Sequence, residues 1–521
     1  MNFSIKHCVL AAIFLLLVQY VHSANWNSVK AGNWNDATTW AENAVPAVTG
    51  NIGTVAINHN VTLNQNATVS TLEIFAGTLL TSGSSTLTVT NLIVKNGAIL
   101  HHKSTEARKL AVTNFTVENG GYYKHEAKSH LVQGAVSDFP GSSTKIFDDQ
   151  STVEILEWGN STLGNTTALA ALPNPAAGWG NLILNVAAWT SGYKWNLNGS
   201  ISLVKGDFTI KRTGPSRELT LFNTNSSNKS ILIKGNLKVT TLAGSNVKVG
   251  FLNGGSGSLA NPPTFTINID GNIIVDAGTL YLTNLNGYSG LNFININLKG
   301  NLIQSGNGII KQEKDVSVVV DLRLVGTTEQ FIDIEDPLVT FYAGINIGTS
   351  SVNSNVTVIR DFIINNSPTT ANAIIVNTGS TLKIQGTNKI TGNIVLQLKS
   401  AASIIIEHPE GLEPVNGTTG AVRINGTTPG FPPIYPSEST NYSPSANYIF
   451  TGSSNQITGT GIPDNALGSI TIDKPAGSEI TLSKPLSITG IFDLKNGIVN
   501  TNATNLLTIN SAGSLTGSFG N

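Results

Sequence analysis

Apolar residues in this chain fall two positions apart in short runs, and the runs stop at glycine. Three segments between Leu72 and Tyr122 carry the pattern: LEIFAG, LIVKNG and FTVENG, ending at Gly77, Gly97 and Gly120. Before each glycine stand Leu72 and Ile74, Leu92 and Val94, Phe115 and Val117; two positions after it stand Leu79, Ile99 and Tyr122. Period-two alternation broken by glycine predicts strand, turn, strand. Recurrence at intervals of about 20 residues predicts coils that stack on one another.

The rest of the chain varies this theme. GTVAINHNVTL (53–63) alternates as two strands around a turn. Between 200 and 310 a second unit recurs, as LVKGDFTI, LIKGNLKV, NIDGNIIV and NLKGNLIQ around Gly206, Gly235, Gly271 and Gly300. Asp or Asn follows each of these glycines, which predicts a bend or bulge with tolerance for left-handed backbone. Residues 310–410 continue as short strands, several apolar without alternation (VSVVVDLRLV, AIIV, SIIIEH), predicting burial on both faces. PGFPPIYPSESTNYSP marks a loop or linker, and FDLKNGIV at Gly497 then repeats the opening unit. No segment has the period of a long amphipathic helix. Tight turns can join parallel coils without helical crossovers, so the predicted fold is all-β, a right-handed parallel β-helix that admits a β-sandwich-like segment. Tandem antiparallel β-sandwiches are the alternative.

The expected organisation is a signal peptide at 1–23, an N-terminal cap and coils at 24–150, a β-rich repeat region at 151–410, a proline-rich loop or linker at 411–447 and a C-terminal repeat segment at 448–521. Lys6 and His7 precede the apolar run Cys8–Val18, which is too short to cross a bilayer comfortably, and Val21-His22-Ser23 suits cleavage after Ser23. No transmembrane segment is expected once the signal is removed. Cys8, the single cysteine, lies within the signal, so no disulfide is expected in the mature chain. Charged residues make up only 12%, and 30 basic residues against 31 acidic ones leave a net charge of -1. This balance offers nothing to nucleic acid. Forty per cent hydrophobic content excludes simple disorder, and the low charge suits a turn-rich extracellular protein.

YIFTGSSNQITGTGIPDNALGSITIDKPAGSEITLSKPLSITGIFDLKNGIVNTNATNLLTI, within Tyr448–Asn521, resembles a segment of large secreted surface proteins of gliding and related Gram-negative bacteria that use type IX secretion. The entry, GNWNDATTWAENAVPAVTGNIGTVAINHNVTLNQNATVSTLEI, looks like the first coils of the same class and faintly resembles G8-type domains. The resemblance covers about 130 residues. It implies β-helical repeats, display at the outer surface or secretion, and adhesin-like roles; it brings no catalytic residues. The class ends in a sorting domain, whereas GSLTGSFGN reads as repeat material, so a fragment or another export signal is expected.

The main candidate site is basic. His101 and His102 follow Gly97 at the same offsets at which Lys124 and His125 follow Gly120, and Lys103 stands beside them. Stacked coils would make these residues neighbours on one face, giving a patch for an extracellular acidic polysaccharide or a Lys/His base for lyase-like chemistry. An ordinary solvated face is the simpler expectation. Trp26, Trp34 and Trp40 form either an aromatic platform for sugar rings or, preferably, a cap over the first coil. HEAKSH (125–130) lacks HExxH spacing, so no metal site is expected. Asp148-Asp149 and Asp333–Asp336 are carboxylate groups of a type that can bind calcium, though solvated turns are expected. No catalytic constellation and no cofactor are expected. Asn60, Asn66, Asn114 and Asn416 begin N-x-Ser/Thr sequons that chance explains in so Asn- and Thr-rich a chain. The predicted function is structural or adhesin-like and non-catalytic, with a host or matrix surface as partner; polysaccharide binding or lysis is the alternative.

Overall fold

A computed structural model describes residues 25–46, 53–104, 109–127, 139, 144–158, 172–186, 195–197, 199–213, 217–223, 228–241, 247–253, 264–284, 288–311, 316–335, 344–364, 373–392, 395–412, 422–424 and 442–517. The leader at 1–23 lies outside them. Among the described residues there is no α-helix, only a 3-10 turn at Ala37–Thr39. Each strand pairs in parallel with its counterpart one coil on, as Ala67–Ile74 does with Leu87–Val94 and Leu87–Val94 with Leu110–Val117. Among the described residues the one antiparallel bridge, Ser28 to Trp40, is isolated. The fold is a parallel β-solenoid. Parallel pairing overturns the antiparallel-sandwich alternative, and no sandwich-like segment occurs among the described residues.

The chain forms two compact units, residues 1–165 with 175–180, and residues 166–174 with 181–521. In the first, the apolar positions before each glycine stack as core columns. Val55, Leu72, Leu92 and Phe115 lie in register, as do Ile57, Ile74, Val94, Val117 and Phe147, and all are fully buried. Gly77, Gly97 and Gly120 have φ of 69°, 75° and 75°, so glycine turns the chain where a side chain would be strained. After the turn the inward column is Leu79, Leu100, Tyr123 and Val153. Ile99 and Tyr122, expected to match Leu79, are partly exposed, because the first coil is one residue shorter after its glycine.

In the second unit, Val204, Ile233, Ile269, Leu298, Leu324, Ile347, Val376 and Leu398 form one inward column. Phe208, Leu237, Ile273, Leu302 and Ile332 form another. Gly206, Gly235, Gly271 and Gly300 sit between them, and their role differs from the predicted left-handed bend. The last three bond N–H to the carbonyl of the glycine one coil before, each at 3.0 Å. A Cβ on Gly271 would lie 2.5 Å from the Gly235 oxygen. Glycine is needed because backbone stacks on backbone.

The residue after each glycine forms a side-chain ladder. Asp207 Oδ1 accepts from the Asn236 N–H at 2.8 Å, Asn236 Oδ1 from the Asn272 N–H at 2.8 Å, and Asn272 Oδ1 from the Asn301 N–H at 2.7 Å. Turn donors that strand pairing cannot reach are thereby satisfied. Later in the unit Lys474 is buried, and its Nζ donates to the Gly452 and Ser454 carbonyls and to Gln456 Oε1.

Strands of the 310–410 region that looked apolar on both faces mostly alternate. Thr381–Ile384 and Ser403–Ile406 each bury every second residue, while Asn355–Val358 buries three in succession. Ser403–Ile406 pairs directly with Asn447–Phe450, so the coils on either side of 411–447 are immediate neighbours. Val422–Ile424, within that segment, pairs with Ile390–Gly392.

The two glycine roles should separate on mutation. Gly271→Ala should destabilise the protein by roughly 1–3 kcal/mol, as overpacking does, by forcing coils apart. Gly97→Asn should cost less than about 1 kcal/mol, because Asn tolerates left-handed backbone and nothing lies within 4 Å of a Cβ there. Urea unfolding of both variants distinguishes the cases.

Candidate functional site

The tryptophans of the entry segment divide. Trp34 and Trp40 are 0% and 2% exposed. They meet edge to face at 5.0 Å, and Trp40 Nε1 donates to the Trp34 carbonyl at 2.9 Å. Side chains so enclosed cover the first coil from inside and cannot stack on a sugar. Trp26 is partly exposed in the strand Trp26–Asn27.

The histidine register is as the glycine offsets predict: His101 pairs with Lys124 and His102 with His125. Their placement on one face is not. Successive residues of a strand point to opposite sides, so His101 and Lys124 face outward while His102 and His125 are fully buried. The buried pair belongs to an inward column running from Leu63 through Thr81, His102 and His125 to Ile155. Thr81 Oγ1 lies 2.6 Å from His102 Nδ1, and Tyr123 Oη lies 2.9 Å from His125 Nδ1. The imidazole rings are 5.9 Å apart. Phe139 and Trp158 crowd the His125 ring at 5.4 and 5.6 Å.

Both Nε2 atoms are buried without a hydrogen-bond partner. Burial, reinforced by the neighbouring His101, lowers the His102 pKa to about 3. Burial and then the nearby His102 hold His125 well below the ordinary range, against a weaker opposing pull from the Ala127 backbone. Both rings are neutral core residues. Neither can reach a substrate as a lyase base.

On the outer side, the expected basic patch is compensated. Glu126 accepts from His101 Nε2 at 2.8 Å and from Lys103 Nζ at 2.8 Å. Partial burial opposes ionisation of Glu126, but the hydrogen bonds from Lys103 and His101 outweigh it and lower its pKa. Lys124 lies over the Tyr122 ring at 5.3 Å, and the Tyr122 hydroxyl donates to Glu154 at 2.8 Å. Glu154 pairs in register with Lys124, and Glu157 with Glu126. Carboxylates therefore alternate with the cations, and the field that would draw a polyanion is largely cancelled.

Other candidates also serve the stack. Asp148 Oδ2 accepts from the Asn119 N–H, Asp333 pairs with Arg360 at 2.6 Å, and Glu335 accepts from the Gly306 N–H. Among the described residues no three His, Cys, Asp or Glu side chains are grouped to hold a metal. Asp336, the end of HEAKSH at 128–130 and Asn416 lie outside the described residues. Asn60 and Asn66 accept from the N–H groups of Thr78 and Thr86 one coil on, and Asn114 donates to Asn91.

A second site was not anticipated from sequence. A groove of about 650 Å³ opens over successive strands of the second unit. Its floor is an outward row in register, Arg323, Asn346, Ile375 and Gln397. Asp321 accepts from Arg323 Nε and from Asn346 Nδ2, each at 2.6 Å, and Arg323 NH2 reaches Asn295 Oδ1 at 3.4 Å. Gly348–Ser351 forms one wall, held by Thr349 Oγ1 accepting from the N–H groups of Ser351 and Val352. The available signal is the alternation of Asp321 and Arg323 with Leu322 and Leu324 inside an otherwise apolar run.

The histidine column carries a pH consequence. Both folded-state pKa values lie below the unfolded value, so stability is complete above pH 6.5 and falls as the pH drops below it. At pH 5, keeping His102 neutral costs about 2 kcal/mol relative to the unfolded chain. Thermal melts between pH 7.5 and 4.5 should show this loss, and a His102→Leu/His125→Phe double variant should flatten it while remaining folded at pH 7.5. No protein-family model, curated protein or solved structure matches this chain.

Proposed function

We propose that this protein is an exported, non-catalytic β-solenoid that acts as a structural or adhesin-like element at the outer cell surface. One observation carries the reading: side chains with chemical potential are used to join coils. His102 and His125 fill the core, and Glu126 holds His101 and Lys103. Lys95 bridges Glu73 and Glu118 at 3.2 and 2.9 Å. Export is supported by the Cys8–Val18 run and the cleavage pattern at Ser23, and surface display by the type IX resemblance at Tyr448–Asn521. A matrix or host surface is the partner this reading favours.

In cells expressing the full gene, the mature amino terminus should be Ala24, and protease added to intact cells should degrade the protein. Deletion should reduce attachment to a surface without changing growth on any single polysaccharide. A protein that keeps residues 1–23 and resists external protease would overturn the proposal.

A further inference from the structure

The second unit carries a polar groove that the structural role does not require. We propose that the groove over Asp321, Arg323, Asn346, Ile375 and Gln397 binds a neutral, hydroxyl-rich oligosaccharide segment. This inference stands apart from the proposed surface role, since the groove lies in a different unit from the histidine column.

Three features point to that ligand class. The first is repeat. Arg323, Asn346, Ile375 and Gln397 occupy one outward row across four consecutive strands. Parallel strands are spaced by about 4.8 Å, so the row extends for about 14 Å. Hydrogen-bonding side chains at three of the four steps, with Ile375 at the other, suit a polymer that presents hydroxyls and C–H faces at a similar step. The second is chemistry. Asp321 and Arg323 neutralise one another, Lys399 stands at the edge of the lining as a further cation, and Asp321 also fixes Asn346 through its Nδ2, leaving the Asn346 amide oxygen as an oriented acceptor. Paired carboxylate, guanidinium and amide groups present donors and acceptors side by side, the arrangement that neighbouring sugar hydroxyls match. Ile375 supplies a small apolar step in the floor against which the C–H face of a ring can rest. The third is preorganisation. The wall is held by the Thr349 N–H donating to the Val352 carbonyl at 2.8 Å, together with the Thr349 hydroxyl contacts. Asn377 Nδ2 donates to the Gly348 carbonyl at 3.0 Å. Little has to be ordered when a ligand enters. A volume of about 650 Å³ lies within the range of small-ligand sites.

The test is calorimetric titration of the full chain with hexasaccharides of glucose, xylose and mannose, and with oligouronates of matched length. The expected result is binding of at least one neutral series. Asn346→Ala and Gln397→Ala should each weaken it about tenfold, the equivalent of one lost hydrogen bond. Lys484→Ala, on a remote surface pair with Asp464, should leave it unchanged, and melting curves confirm that every variant is folded. Failure to bind any neutral series, binding of oligouronates alone, or binding indifferent to Asn346→Ala and Gln397→Ala would each overturn the proposal.

Discussion

Register between coils is the constraint on which each unit depends. Parallel pairing places equivalent residues of successive coils about 4.8 Å apart, so any choice at one position is felt by the same position above and below. Apolar residues then form continuous columns, as from Val204 to Leu398. Polar residues at turns form ladders, as from Asp207 to Asn301. Glycines stack where backbone must touch backbone, as from Gly206 to Gly300. A slip of one residue would invert every column, turning core residues to solvent.

The relative size of the contributions explains the low charge. Full burial of each Leu, Ile, Val or Phe contributes roughly 1.5–3 kcal/mol, whereas an exposed ion pair contributes about 0–1 kcal/mol. Columns of apolar residues therefore dominate stability, and pairs such as Lys95 with Glu73 and Glu118 chiefly tune the outer face. Buried polar groups are tolerated where the stack satisfies them. Lys474 has three acceptors. His102 and His125 are only partly satisfied, each with one bonded ring nitrogen and one without a partner. Burial, with the charge of a neighbouring histidine, makes them acid-sensitive.

The same stacking relocates the question of function. It draws His102 and His125 inward and sets Glu126 against His101 and Lys103, so among the described residues those two outward cations are compensated. In the second unit it brings into one row residues that stand far apart in the chain. Asp321 and Gln397 share a groove only because three steps of the solenoid separate them in space.

Much of the architecture was legible in the residues. Leu72/Ile74, Leu92/Val94 and Phe115/Val117 show two-residue alternation, and their recurrence before glycine announces stacked strands. The offsets from Gly97 and Gly120 were enough to pair His101 with Lys124 and His102 with His125. Sidedness is equally implicit in the alternation, since adjacent residues such as His101 and His102 cannot share one face of a strand. The purpose of Gly-Asn and Gly-Asp was not legible, because local sequence permits both left-handed backbone and close stacking; only the carbonyl of the neighbouring coil excludes a Cβ. The groove was not legible either, since its members become neighbours through the register of distant strands. Strand, turn and coil period are written in the residues themselves, because they follow from local alternation and backbone freedom. Tertiary structure decided which polar residues are enclosed, which are neutralised and which remain together at the surface, because those depend on what the next coil places against them.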